Sequence, residues 1–185
     1  MQAFLISGSR NPQGQTARAM DAVAAGLESA GAAVDRAFLP TVRIERCRQC
    51  DDAGWGLCRS DGRCVIEDDF AGLVESVRSA DAVVLATPVY FSDLSESLRA
   101  FLDRLRRITR HDAGRAGIEG TPALGLCVAG GGGGGAPTCS ANLNAIAARC
   151  GFDVVDMIPV RRQNLDAKLP ALEAMGRWLA ARPTS

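Results

Sequence analysis

The residues with most chemistry to offer begin at Ser7-Gly8-Ser9-Arg10-Asn11-Pro12-Gln13-Gly14-Gln15-Thr16, between a short apolar run and an amphipathic stretch. That position puts hydroxyls, amides and backbone N–H groups at a helix N-terminus, where four orphan amides welcome an anion. Ser9, Asn11, Gln15 and Thr16 can donate to phosphate oxygens, while Gly8 and Gly14 allow close or unusual turns. The same residues also serve as turn formers and helix caps. The loop lacks the Gly-Lys-Ser/Thr ending of nucleoside-triphosphate loops and the G-x-G-x-x-G dinucleotide fingerprint, so both of those readings lose ground.

A second stretch, Thr87-Pro88-Val89-Tyr90-Phe91-Ser92, ends the most apolar run of the chain. In an open parallel sheet it reaches the carboxyl edge beside the first loop. Its aromatics can pack on a planar ring, and the N–H groups of Val89, Tyr90 and Phe91 can meet that ring's polar edge. Equally, Tyr90 and Phe91 can be core or interface aromatics. A third loop, Ala129 to Ala136, contains the run Gly130 to Gly135. Glycines let backbone approach a flat ligand, and the run reads either as a flap over it or as a flexible surface loop.

The chain has seven cysteines. Cys47, Cys50, Cys58 and Cys64 fall in one segment with two, seven and five residues between them. Four thiolates suit zinc or an iron-sulfur cluster; the other reading is buried thiols or a labile redox pair. Cys127, Cys139 and Cys150 lie on predicted strand or helix and read as packing residues. His111, the single histidine, sits in a charged loop and reads as a surface residue. No nucleophilic triad is evident, and no catalytic side chain is assigned.

Positioning these loops requires an alternation of strands and helices. Apolar runs at Ala3 to Ile6, Ala33 to Leu39, Ala82 to Thr87, Ala123 to Val128 and Phe152 to Ile158 alternate with stretches of helical period, the pattern of a covered parallel sheet. The helical faces are Met20, Val23, Ala24, Leu27; Phe70, Leu73, Val74, Val77; Leu98, Phe101, Leu102, Leu105, Ile108; Leu143, Ile146, Ala147, Cys150; and Leu172, Met175, Leu179, with Pro170 expected in a first turn. The charged positions of the third helix, Arg104 and Arg107 among them, read as a solvated face.

The expectation is one α/β domain over 1–185 with a cysteine-rich insertion at 47–64. Lysine plus arginine equal aspartate plus glutamate at 21 each, and no basic stripe gathers, which tells against nucleic acid. No run reaches the roughly 18 apolar residues of a membrane span. With no evident export signal, a cytoplasmic protein with mostly unpaired cysteines is expected.

Taken together, Ser-Gly-Ser with Gly-Gln-Thr, the segment ending Gly-Arg-Cys-Val-Ile-Glu-Asp-Asp-Phe, and Thr-Pro-Val-Tyr-Phe-Ser with Leu-Arg-Ala-Phe-Leu-Asp-Arg resemble the NADPH-dependent FMN reductase and iron-sulfur flavoprotein family. The resemblance covers nearly the whole chain. It implies a flavodoxin-like, doubly wound five-stranded parallel sheet in the order 2-1-3-4-5, with FMN bound non-covalently at the strand C-terminal edge. By position it implies Ser9, Asn11, Gln15 and Thr16 for the phosphate, Pro88, Val89, Tyr90 and Phe91 for the isoalloxazine, and Gly130 and Gly131 for the third loop. It further implies an oxidoreductase using NADPH or NADH, a small-molecule acceptor such as a quinone or flavin, and a homodimer or homotetramer. The other readings are an electron-transfer protein relaying through an iron-sulfur centre to FMN for a redox protein partner, and a flavin-free binding domain on the same scaffold. The chain departs from the family where Ser9-Arg10-Asn11 replaces a common Ser-Pro-Arg, and where Ala53 stands at the usual third cysteine, leaving Cys58 five residues later.

Overall fold

The computed structural model describes residues 1–182. Five parallel strands, β1 (Gln2–Ser7), β2 (Ala33–Phe38), β3 (Ala82–Pro88), β4 (Pro122–Ala129) and β5 (Asp153–Arg161), form one sheet in the order β2-β1-β3-β4-β5. The helices are α1 (Gln15–Ser29), a short α2 (Leu57–Ser60), α3 (Phe70–Arg78), α4 (Glu96–Ile108), α5 (Ala136–Arg149) and α6 (Leu165–Ala180). Ala82 to Ala86 of β3 are fully buried, as a central strand covered on both faces requires.

Alternate residues of the strands feed two cores. Phe4, Ile6, Val83 and Leu85 face α3, α4 and α5, whereas Ala3, Leu5, Val84 and Leu126 face α1 and α6. The second layer depends on close helix approach. A Cβ on Gly26 would lie 2.0 Å from the Glu173 carbonyl oxygen, and one on Gly176 2.1 Å from that of Val23. Two glycines thus let the backbones of α1 and α6 touch.

Three sequence expectations change. Helix α6 starts at Leu165, so Pro170 lies inside it rather than in its first turn; the missing N–H leaves one carbonyl without its helical donor. Strand β5 continues through Pro159 to Arg161, which an edge strand tolerates because one side of its ladder is unpaired. Arg104 is not on a solvated face. Its side chain is 1% exposed and pairs with a fully buried Asp68 at 2.6 Å, with its guanidinium carbon 4.1 Å from the Phe70 ring centroid.

Candidate functional site

Because the strands are parallel, the loops after β1, β3 and β4 all emerge at one edge. There they line an open groove of about 700 Å³, walled by Ser9, Asn11, Gln15 and Thr16, by Pro88, Val89 and Tyr90, and by Val128 to Gly134. Gln13 and Gly14 complete the first wall.

The first loop is shaped by its own polar groups. Ser9 Oγ accepts from the Asn11 amide at 3.3 Å, and Asn11 Oδ1 accepts from the Gln13 amide at 2.9 Å. The turn-forming reading and the ligand reading therefore coexist in these residues. Gly14 caps α1 without any side-chain bond, and no acidic residue occupies the first turn. Among the described residues the amides of Gln15, Thr16 and Ala17 have no acceptor, so the positive end of the helix dipole faces the groove unneutralised. Gly8 is required by packing, since a Cβ there would lie 2.0 Å from Ser95 Oγ.

The second loop corrects the expectation that three successive amides face a ring. The Val89 amide donates to Val128 O at 3.0 Å, and that of Tyr90 to Asp93 O at 3.0 Å. Only the Phe91 amide makes no hydrogen bond among the described residues. Asp93 returns its own amide to Tyr90 O at 2.9 Å, closing a tight turn whose central residues, Phe91 and Ser92, have φ of 49° and 66°. Phe91 is fully exposed at its tip and does not line the groove. Asp93 anchors the turn through both oxygens to Arg99, at 2.7 and 2.8 Å, and through Asn142. Burial alone raises its pKa, but the Leu94 amide, Arg99 and Asn142 outweigh that and hold it below the ordinary carboxylate value.

Nor is the glycine loop a free flap. Gly133 N donates to Gly130 O at 2.8 Å, Gln163 Nε2 to Gly131 O at 2.9 Å, and Gly135 seats against Ser92. Gln163, which with Arg161, Arg162 and Asn164 reads in sequence as a nicotinamide-phosphate contact or a solvated turn, instead supports the glycine loop, a role hidden in sequence because the turn lies 32 residues away.

The four cysteines lie elsewhere. Cys47, Cys50, Cys58 and Cys64 line one small cavity of about 20 Å³ together with Arg48, Trp55, Arg104 and Arg107. All are free thiols. Among the described residues no three thiol, imidazole or carboxylate groups form a ready ligand set, so the cysteines share a cavity without converging on one point. The cavity nonetheless contains an orphaned buried donor, Arg104 Nε, which an anionic sulfur centre would satisfy. Ser95 caps the N-terminus of α4 against Gly8, while Arg107 near its other end bonds Cys47. Groove and cavity therefore sit near opposite ends of α4, about 18 Å apart along its axis at 1.5 Å per residue.

His111 departs from the surface reading, since its ring stands edge-on to Trp55 at 5.2 Å and its Nε2 is buried. Cys127, Cys139 and Cys150 are fully buried, and burial pushes the Cys150 thiol well up.

The profile of the NADPH-dependent FMN reductase family matches residues 1–165. The chain belongs to that family. It is 33% identical over 105 residues to an iron-sulfur flavoprotein of Archaeoglobus fulgidus, a match covering 57% of this chain and 46% of that protein. An iron-sulfur flavoprotein of Methanosarcina thermophila is 34% identical over 102 residues, covering 54% and 49%. The chain thus spans about half the length of these curated relatives. In fold it is similar to an NAD(P)H:quinone oxidoreductase from Methanothermobacter marburgensis, with TM-score 0.68, 19% identity and coverage of 100% of this chain and 98% of the other. An archaeal flavodoxin gives TM-score 0.63 at 14% identity, covering 97% and 96%. The flavodoxin-like fold and the 2-1-3-4-5 order are as expected, and no helix among the described residues is long and apolar enough to cross a membrane.

Proposed function

We propose that the groove holds FMN and that the protein is an oxidoreductase which takes hydride from NADPH or NADH and passes electrons to a quinone, a flavin or another small acceptor. One observation carries the reading: an uncapped helix N-terminus with free amides shares a single groove with two loops able to flank a flat ring. Bound there, FMN supplies the redox chemistry, which is why no side-chain acid, base or nucleophile is needed.

The chain's own residues bind and orient. The amides of Gln15, Thr16 and Ala17, with the hydroxyls of Ser9 and Thr16, take the phosphate largely through neutral donors, Arg10 being the cation of that loop. Pro88, Val89 and Tyr90 face Gly130 and Gly131 across the space for the ring. With the amides of Val89 and Tyr90 committed to Val128 and Asp93, this loop meets the ring through Pro88, Val89 and Tyr90. The open side of the groove admits the second substrate, or a neighbouring copy in a homodimer or homotetramer. The expected acceptors are small molecules met in the cytoplasm.

The test is to load the purified protein with FMN and add NADPH or NADH anaerobically. Stoichiometric flavin whose absorbance bleaches with either nucleotide is expected. Failure to retain FMN would sink the proposal, and the faster nucleotide settles the preference.

A second reading is favoured by one observation, the four cysteines on a single cavity. In it the protein is an electron carrier for a redox protein partner, with a thiolate-held iron-sulfur cluster or zinc at Cys47, Cys50, Cys58 and Cys64. The names of the curated relatives support it. Iron and sulfide analysis after anaerobic purification separates the two readings.

A further inference from the structure

At the N-terminal edge of the strands, opposite the groove, α4 and α5 end around an open cleft of about 580 Å³. Five guanidiniums line it. Arg106 and Arg107 come from the last turn of α4, Arg110 from just beyond it, Arg115 from the turn that follows, and Arg149 from the last turn of α5. Trp55 of the cysteine segment adds an aromatic wall, and Glu119 is the one carboxylate among the lining residues.

Acidic and basic residues are equal in number over the whole chain, so this is a local concentration of charge. Several arginines elsewhere sit against carboxylates, as Arg18 does with Asp166, Arg177 with Glu173 and Arg182 with Asp153. In the cleft, Arg106 has Asp103 at 3.0 Å, and Arg115 has Asp112 at 3.4 Å and Glu119 at 3.7 Å. Arg107, Arg110 and Arg149 have no carboxylate partner among the described residues.

The negative ends of two helix dipoles attract part of this charge, but that attraction would leave the side chains free in solvent. Two of them are instead fixed. Arg107 donates Nε to Cys47 Sγ at 3.1 Å and Nη2 to the Gly54 carbonyl at 2.5 Å, with its carbon 4.7 Å from the Trp55 ring centroid. Arg115 donates Nε to the Thr109 carbonyl at 3.3 Å and Nη2 to that of Arg110 at 3.4 Å. Like charges held around a concave site focus a positive potential there and repel one another until an anion offsets them. Guanidiniums present planar forks that match phosphate oxygens two at a time. The cleft is a pit of the size of small-ligand sites, roughly 300–1000 Å³, not a stripe that would track a nucleic-acid backbone.

We propose that this cleft binds a small polyphosphate, two or more linked phosphoryl groups, with Arg107 and Arg115 as fixed clamps and Arg110 and Arg149 closing on it from the solvent side. The site lies at the other end of α4 from the groove and rests on neither functional reading.

The experiment titrates inorganic pyrophosphate and, separately, ADP into the full-length protein saturated with FMN, followed by calorimetry at low salt and at about 0.15 M salt. Wild type is compared with Arg107→Leu and with two double variants at the exposed positions, Arg110→Ala with Arg149→Ala, and Arg110→Lys with Arg149→Lys. Wild type is expected to bind one equivalent of pyrophosphate, more weakly as salt rises, with sulfate a poor competitor. The double alanine variant should bind about 10–100-fold more weakly, the cost of losing hydrogen bonds to a charged group. The double lysine variant should recover part of that loss. Tighter binding of ADP than of pyrophosphate would identify a nucleotide as the source of the phosphates, with its base against Trp55; equal or weaker binding would identify the polyphosphate alone. No binding of pyrophosphate, sulfate bound as tightly, or an affinity unchanged in both the double alanine variant and Arg107→Leu would each overturn the proposal. Circular dichroism of each variant separates a loss of fold from a loss of ligand, and flavin content read in the same samples shows separately whether the FMN reading fails.

Discussion

Two single residues bear on how the groove edge is built. Phe91 occupies a left-handed conformation, at φ 49°, while fully exposed. For a bulky L-residue that backbone state costs about 1–2 kcal/mol, and no burial of its ring offsets the cost. The reciprocal Tyr90–Asp93 bonds and the Arg99 clamp on Asp93 hold it there. Phe91→Gly should therefore raise stability by about 0.5–1 kcal/mol, once glycine's larger unfolded-state entropy is allowed for. A higher urea midpoint is the expected result. Gly8 works in the opposite sense. The methyl of Gly8→Ala would meet Ser95 Oγ, and such overpacking costs about 1–3 kcal/mol. Because Gly8 lies in the loop proposed to hold the phosphate, the same variant should also retain less FMN after gel filtration.

At the scale of elements, α4 is tied to the cysteine segment by the Arg104–Asp68 pair, which anchors the chain just before α3. Burial alone raises the pKa of Asp68, but the hydrogen bonds from Arg104 and from the Glu45 and Phe70 amides reverse this and hold it below the ordinary carboxylate value. A carboxylate whose pKa falls on folding contributes its full stabilisation above the unfolded-state value, and loses it as pH drops through the lower folded value. Removing one partner of a buried pair costs about 3–5 kcal/mol. Asp68→Ala should show that deficit in urea unfolding at neutral pH, and the gap to wild type should narrow only below about pH 4. Helices α1 and α6 make a separate point. Gly176→Ala would press a methyl onto the Val23 carbonyl, forcing the helices apart, and should lower the melting temperature without changing flavin affinity per folded molecule.

For the whole molecule, ligand and fold are linked through the edge where three loops meet. If FMN binds the folded chain alone, free FMN at 100 times its dissociation constant stabilises by about 2.7 kcal/mol. For a chain of this size that is roughly 5–10 °C in melting temperature. A thermal melt with and without FMN checks it, and riboflavin, which lacks the phosphate, should give a smaller shift. The groove and the cysteine cavity lie near opposite ends of α4, so zinc or iron loading at the cysteines should leave this FMN shift unchanged.

Much of this was legible along the chain. The alternation of apolar runs with helical faces such as Leu98, Phe101, Leu102 and Leu105 determined the α/β class, because strand and helix periods are local properties. The position of the Ser7 to Thr16 loop between a strand and a helix pointed to an anion site as well as to a turn, because helix termini leave amides unpaired. The tertiary structure alone decided which amides are free, since Val89 and Tyr90 spend theirs on Val128 and Asp93. It also decided that Arg104 is buried rather than solvated, that Gln163 restrains the glycine loop, and that four cysteines with unusual spacing share one cavity with three arginines. Those facts are pairings between residues distant in sequence. Hydrogen-bond and charge partners of that kind leave no local period, so only the packed chain determines them.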